Sequence, residues 1–180
     1  ALFEEVATSA GMLRLESGGA VWARHPLAFL VEAADDICYT IVDFEDGHSL
    51  GIIPYRELEE AFTLITGPML KKNTIREDQR KAEFLRAMAL NTLVNQLSQA
   101  FIDHEQQILA GELRQSLTSL IPAAEALEKI KERSFKDVYT YRRAIEIEVA
   151  GYELCSGLLD AFAGSVADIE IGRASCRERV

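Results

Sequence analysis

Apolar side chains recur along the chain at three- and four-residue spacing, and almost no stretch alternates with period two. The first spacing gathers side chains on one face of a helix and the second is what a strand needs, so the pattern predicts an all-α protein. A short helix is expected over residues 2–9, then a glycine-containing loop over 16–24. A long helix follows from about Pro26, a residue suited to a first helical turn, to Asp46, with Gly47 as its stop. After a loop holding Gly51 and Pro54, the segment YRELEEAFTLIT repeats Leu58, Ala61, Phe62 and Ile65 at helical spacing and halts at Gly67-Pro68. From about Ile75 to Leu109 runs a long helical segment whose apolar positions include Phe84, Met88, Leu93, Leu97 and Phe101, ending near Gly111. Pro122 opens a helix through about Glu132, Ser134 caps a short one holding Val138 and Tyr139, and residues 142–163 make the last. With no internal repeat, low-complexity stretch or flexible linker, the chain reads as one helical domain or part of one.

The helix over 26–46 has two faces. At about 100° per residue, Leu30, Ile37, Ile41 and Phe44 gather on one side, while Asp35, Tyr39, Asp43 and Asp46 gather within roughly 80° on the other. The first is a core face, and the second either meets water or lines a site. Glu32, Asp35 and Asp36 crowd like charges beside the small pair Ala33-Ala34, a costly arrangement unless cations compensate it. Tyr39 lies one turn beyond Asp35 and Asp43 one turn beyond Tyr39, which sets a metal-capable oxygen, an aromatic surface and a hydrogen-bond acceptor in a row. A divalent ion, a sugar ring and a sugar hydroxyl would occupy such a row.

Composition narrows the setting. The 180 residues are 48% hydrophobic and 27% charged, values of a globular chain that set disorder aside. The 29 acids against 19 bases give a formal charge of −10, which disfavours wholesale electrostatic binding to nucleic acid or an anionic membrane. No apolar run approaches the roughly 20 residues needed to span a bilayer, and no signal peptide opens the chain, so no membrane association and a cytoplasmic location are expected. Cys38, Cys155 and Cys176 suit neither a disulfide framework nor a zinc knuckle, and the first two are expected as small core residues. Both ends look cut. The chain opens without Met on an amphipathic pattern, and Glu170 to Val180 abandons the preceding periodicity for a basic string that resembles a translated sequencing adapter. Residues 170–180 are therefore expected to be a non-native tail, and 1–169 the native portion.

RHPLAFLVEAADDICYTIVDFEDG at 24–47 closely resembles a segment of the bacterial deoxyguanosine triphosphate triphosphohydrolases, the dGTPase branch of the HD-domain superfamily. The resemblance continues through FLRAMALNTLVNQLSQAFIDHEQQILAGE at 84–112, IPAAEALEKIKE at 121–132 and EIEVAGYELCSGLL at 146–159, and so covers essentially residues 1–169. It implies the C-terminal part of an all-α, HD-type helical bundle. It also implies hydrolysis of dGTP to deoxyguanosine and inorganic triphosphate, with Mg²⁺ or Mn²⁺ held by an H…HD…D set whose final aspartate matches Asp35. In that mechanism a metal-bound water attacks the α-phosphorus. Tyr39 matches the tyrosine that packs on the deoxyribose, and Asp43 the aspartate that accepts from the 3′-hydroxyl.

The remaining ligands of that set are not in this chain. None of His25, His48 and His104 is followed by aspartate, and each reads as a cap, surface or structural residue. The fragment alone is therefore expected to be inactive. In EIEVAGYEL, Glu148, Gly151 and Tyr152 match an E-x-x-G-Y pattern of the family, and the mid-helix Gly151 suggests close approach of another helix. Glu148 either sits on a wet face or accepts from the guanine N1 and N2 donors. Arg142, Arg143, Lys71, Lys72 and Arg76 suit triphosphate, single-stranded DNA or plain solubility equally. The resemblance further implies a homo-oligomer. Two alternatives stay open: a related enzyme of broad deoxynucleoside triphosphate specificity, and a non-catalytic nucleotide-binding or oligomer-scaffolding relative.

Overall fold

The computed structural model describes residues 2–15, 21–68 and 78–177, with side chains described through 166 in the last helix. Among these residues the chain is an all-α helical bundle: α1 (Leu2–Ser9), α2 (Pro26–Ser49), α3 (Tyr55–Thr66), α4 (Asp78–Asp103), α5 (Glu105–Leu109), α6 (Ala124–Arg133) and α7 (Arg142–Arg177). A 3₁₀ turn covers Leu117–Ser119, and a π-helical turn, Ser134–Val138, continues α6. The extended structure among them is a single antiparallel bridge between Arg14 and Trp22. The chain divides into two compact units, Ala1–Val138 and Tyr139–Val180.

In the first unit α2 is the central helix, lying against α3, α4, α6 and both short turns. Its buried row is Phe29, Ala33, Ile37, Ile41, Phe44 and Gly47, a three- and four-residue spacing that keeps one stripe inward for five turns. Opposite it stand Leu58 and Phe62 of α3, Leu93 and Leu97 of α4, and Leu127 and Ile130 of α6. The rings of Phe44 and Phe62 meet at 6.0 Å and 50°, an inclined contact that suits their quadrupoles. The expected face of α2 is the observed one, with Leu30 at its margin.

Several expectations need correction. Gly47 does not stop α2; the helix runs on to Ser49, and Gly51, at φ 74°, makes the turn. Gly47 instead marks close packing, because a Cβ there would lie 2.7 Å from Val138 Cγ2 and 2.9 Å from Ile53 Cγ1. The 75–109 segment breaks at His104 into α4 and α5, and its residues 75–77 fall outside the described ones. The seam of α4 is Ala82, Leu85, Ala89, Leu93, Leu97 and Ala100, while Phe84 is 45% exposed. Small alanines let α4 lie close to its neighbours, and a reading weighted toward large side chains passes over them. Ser134 does not open a separate helix: it is the C-cap of α6 and the first residue of the π turn, buried there, and among the described residues its hydroxyl has no hydrogen-bond partner.

In the second unit α7 continues well beyond residue 163, with helical backbone to Arg177. From Arg142 to Val166 its side chains are exposed or half-buried, including Ile147, Tyr152, Leu159 and Phe162. Cys38 and Cys155 are both exposed, not core. Cys38 follows the buried Ile37 and is turned about 100° from it, while Cys155 shares the exposure of its helix. Within this unit a Cβ added to Gly151 would meet nothing within 4 Å among the described residues.

Candidate functional site

The acid-rich half of α2 is fixed at its start by His25, the N-cap, whose Nδ1 accepts from the Leu27 amide at 3.2 Å, and by Pro26 in the first turn. From there Asp35, Tyr39 and Asp43 follow at one-turn intervals, each step about 6 Å along the axis. Asp35 and Asp46 are exposed, Asp43 is half-buried and Tyr39 is 61% exposed. One surface of α2 therefore presents a carboxylate, a phenol and a second carboxylate in line.

The crowding of acids is resolved by cations from elsewhere in the fold. Arg24 bonds Glu32 Oε2 at 2.6 Å, donates to the Arg114 carbonyl at 3.1 Å, and lies over the Phe29 ring at 4.8 Å. Asp36 turns toward the 3₁₀ turn and α6, where Thr118 donates to its Oδ2 at 3.0 Å and Lys131 Nζ stands 3.8 Å from the same oxygen. Asp35 is different. Among the described residues its carboxylate has neither hydrogen bond nor ion pair, and it faces outward. The sequence marks all three acids alike; Arg24 stands close enough to Glu32 to be guessed, but Thr118 and Lys131, which meet Asp36, are too remote in the chain for spacing to reveal.

The histidines serve the backbone. Besides the cap made by His25, His48 Nδ1 is 2.9 Å from the Ile53 carbonyl and its ring meets Tyr55 edge-on, and His104 Nδ1 is 2.8 Å from the Ala100 carbonyl. Among the described residues no three His, Cys, Asp or Glu side chains converge on one point. Asp35 is thus a single donor and does not by itself make a metal site. A shallow groove of about 270 Å³ between α3 and α6 is lined by Phe44, Glu57, Lys129 and Arg133, and by no residue of the Asp35 row.

Glu148 and Tyr152 belong to the second unit, both exposed on α7, and Arg142 there is paired with Glu146 at 2.7 Å. Lys71, Lys72 and Arg76 lie outside the described residues. No described helix is long and apolar enough to cross a membrane.

Comparison with known proteins adds what one chain lacks. No protein-family profile matches. The chain is 38% identical over 167 residues, 93% of its length, to a deoxyguanosinetriphosphate triphosphohydrolase-like protein of Synechocystis sp.. It is 33% identical over 175 residues to a like-named protein of Pseudomonas aeruginosa, and 31% identical over 169 residues, 83% of its length, to the deoxyguanosinetriphosphate triphosphohydrolase of Salmonella typhi. These alignments cover 38%, 39% and 34% of the three relatives, so the chain spans little more than a third of the proteins it matches.

Proposed function

Because the chain belongs, over the segment it shares with those relatives, to the deoxyguanosinetriphosphate triphosphohydrolase and triphosphohydrolase-like family, we propose that it is the C-terminal part of an HD-type enzyme that hydrolyses dGTP. Water adds to the α-phosphorus, the bond from that phosphorus to the 5′ oxygen breaks, and deoxyguanosine and inorganic triphosphate leave. The observation that carries this reading is that Asp35, unlike its neighbours Glu32 and Asp36, has no partner among the described residues. Glu32 and Asp36 are neutralised by the chain's own cations, whereas Asp35 is held outward without a partner among the described residues, one turn from an exposed Tyr39.

In this reading the ring of Tyr39 lies along the deoxyribose, where its bulk disfavours a 2′-hydroxyl, and Asp43 accepts from the 3′-hydroxyl. Asp35 contributes one carboxylate toward a Mg²⁺ or Mn²⁺ ion. The described donors do not complete that ion's shell, and the rest of the longer polypeptide supplies the other ligands. Within a homo-oligomer in the cytoplasm, the whole enzyme would remove dGTP from the nucleotide pool.

The experiment is triphosphate release from dGTP by the full-length protein carrying this chain, comparing wild type, Asp35→Asn and Glu32→Gln. Asp35→Asn keeps the side chain's size and removes its charge, so turnover falls by about 10³-fold or more, while Glu32→Gln stays within about tenfold of wild type. Equal activity of Asp35→Asn and wild type would show that Asp35 only faces solvent.

A further inference from the structure

The neighbouring acids Asp35 and Asp36 differ by about 100° around the axis of α2, and the structure gives them opposite surroundings. Asp36 Oδ2 receives the Thr118 hydroxyl at 3.0 Å, and Thr118 is itself 6% exposed. A hydroxyl has one proton and a carboxylate can only accept, so the Ser116 hydroxyl, 3.1 Å away, donates to Thr118 in turn. Lys131 Nζ approaches the same Asp36 oxygen from α6 at 3.8 Å and stands 3.5 Å from Glu128 Oε1. One turn later, Thr40 donates to the Asp36 carbonyl at 2.6 Å. Asp36 thus ties α2 to the 3₁₀ turn and to α6 by polar contacts, beside their shared apolar core.

Such a contact fixes how far the helix can roll. At roughly 6 Å from the axis, a 20° roll of α2 would carry the ends of Asp35 and Tyr39 by about 2 Å. Displacements of about 1 Å already cost reacting groups up to a hundredfold. The apolar seam of α2 also resists rolling, with Gly47 packed closely against Val138 and Ile53 toward its far end. A directed hydrogen bond and an ion pair at residue 36 resist it where the outward row begins.

We propose that Asp36, held by Thr118 and Lys131, is a positioning residue that sets the roll of α2 and thereby the fit of Tyr39 to a 2′-deoxy sugar. This rests on the dGTP-site reading of Asp35 and Tyr39. Asp36 touches no substrate in this arrangement and acts only through the row beside it.

The test uses the full-length protein and measures kcat/KM for dGTP and for GTP, with the melting temperature of each variant. Asp36→Ala and Thr118→Val should each lower the dGTP-over-GTP ratio by about tenfold at temperatures well below their melting points. Thr118→Ser keeps the hydroxyl and should restore the ratio. A tie that serves stability alone would lower the melting temperature and leave the ratio at its wild-type value in both variants, which overturns the proposal. If Asp36→Ala does not fold, Thr118→Val and its Ser counterpart carry the test. Tyr39→Ala separates the two failures. A ratio lowered by Tyr39→Ala but not by Thr118→Val removes only the positioning role, and a ratio unmoved by either removes the sugar-site reading as well.

Discussion

Single charged residues of this fold differ in whether a partner satisfies them. Glu45 is 3% exposed on the packed side of α2, and its Oε2 receives Arg86 Nη1 of α4 at 2.6 Å. A buried carboxylate without its cation is costly. Arg86→Met should therefore lower the unfolding free energy by about 2–3 kcal/mol, below the figure for full burial because the Arg86 side chain stays partly wet. Adding Glu45→Met removes the stranded charge and should recover most of that loss, which urea unfolding of the three proteins would show. A double variant as weak as the single one would mean that the pair contributes through packing rather than charge. Arg133 makes a more exposed link, bonding Glu57 of α3 with two nitrogens and also pairing with Asp137 of the π turn.

Among the elements, α3 shows how local signals set boundaries. Its ends at Tyr55 and Thr66 are those expected, because Pro54 precedes it and Gly67, at φ 76°, ends it. The core face of α2 and the structural use of the three histidines are legible in the same way, from spacing and neighbouring breakers. What is not legible depends on partners distant in sequence. The lysine and threonine that meet Asp36 come from α6 and from the 3₁₀ turn, and no periodicity announces them. Gly47 looks like a helix stop until Val138 and Ile53 are seen packed against it. Gly47→Ala gains up to about 1 kcal/mol of helix propensity, but its Cβ meets two side chains at under 3 Å, an overlap that costs about 1–3 kcal/mol. The net effect should be destabilising in thermal unfolding. An unchanged or raised melting temperature would show that Val138 moves aside freely.

For the whole molecule, the two units differ in kind. The first has its own core, whereas in the second α7 carries Ile147, Val149, Tyr152, Leu154, Leu158, Leu159 and Phe162 exposed. A helix apolar on so many sides is ordinarily covered. The chain spans about 38% of its Synechocystis relative, and much of that relative's length lies outside the match. The isolated 180-residue chain should accordingly self-associate with rising concentration in sedimentation. With Asp35 its single candidate ligand and no cluster of three donors among the described residues, it should release no triphosphate from dGTP with Mg²⁺ or Mn²⁺; release above the rate of buffer alone would show that the chain holds a complete site. The row of Asp35, Tyr39 and Asp43 is proposed to grip a deoxynucleotide, and the measurement that reads this grip is the ratio of kcat/KM for dGTP over GTP in full-length Tyr39→Ala. Removing the ring opens the space beside the sugar's C2′, so the ratio should fall by about tenfold or more. A ratio equal to that of wild type would contradict the claim and leave the row a solvated helix face.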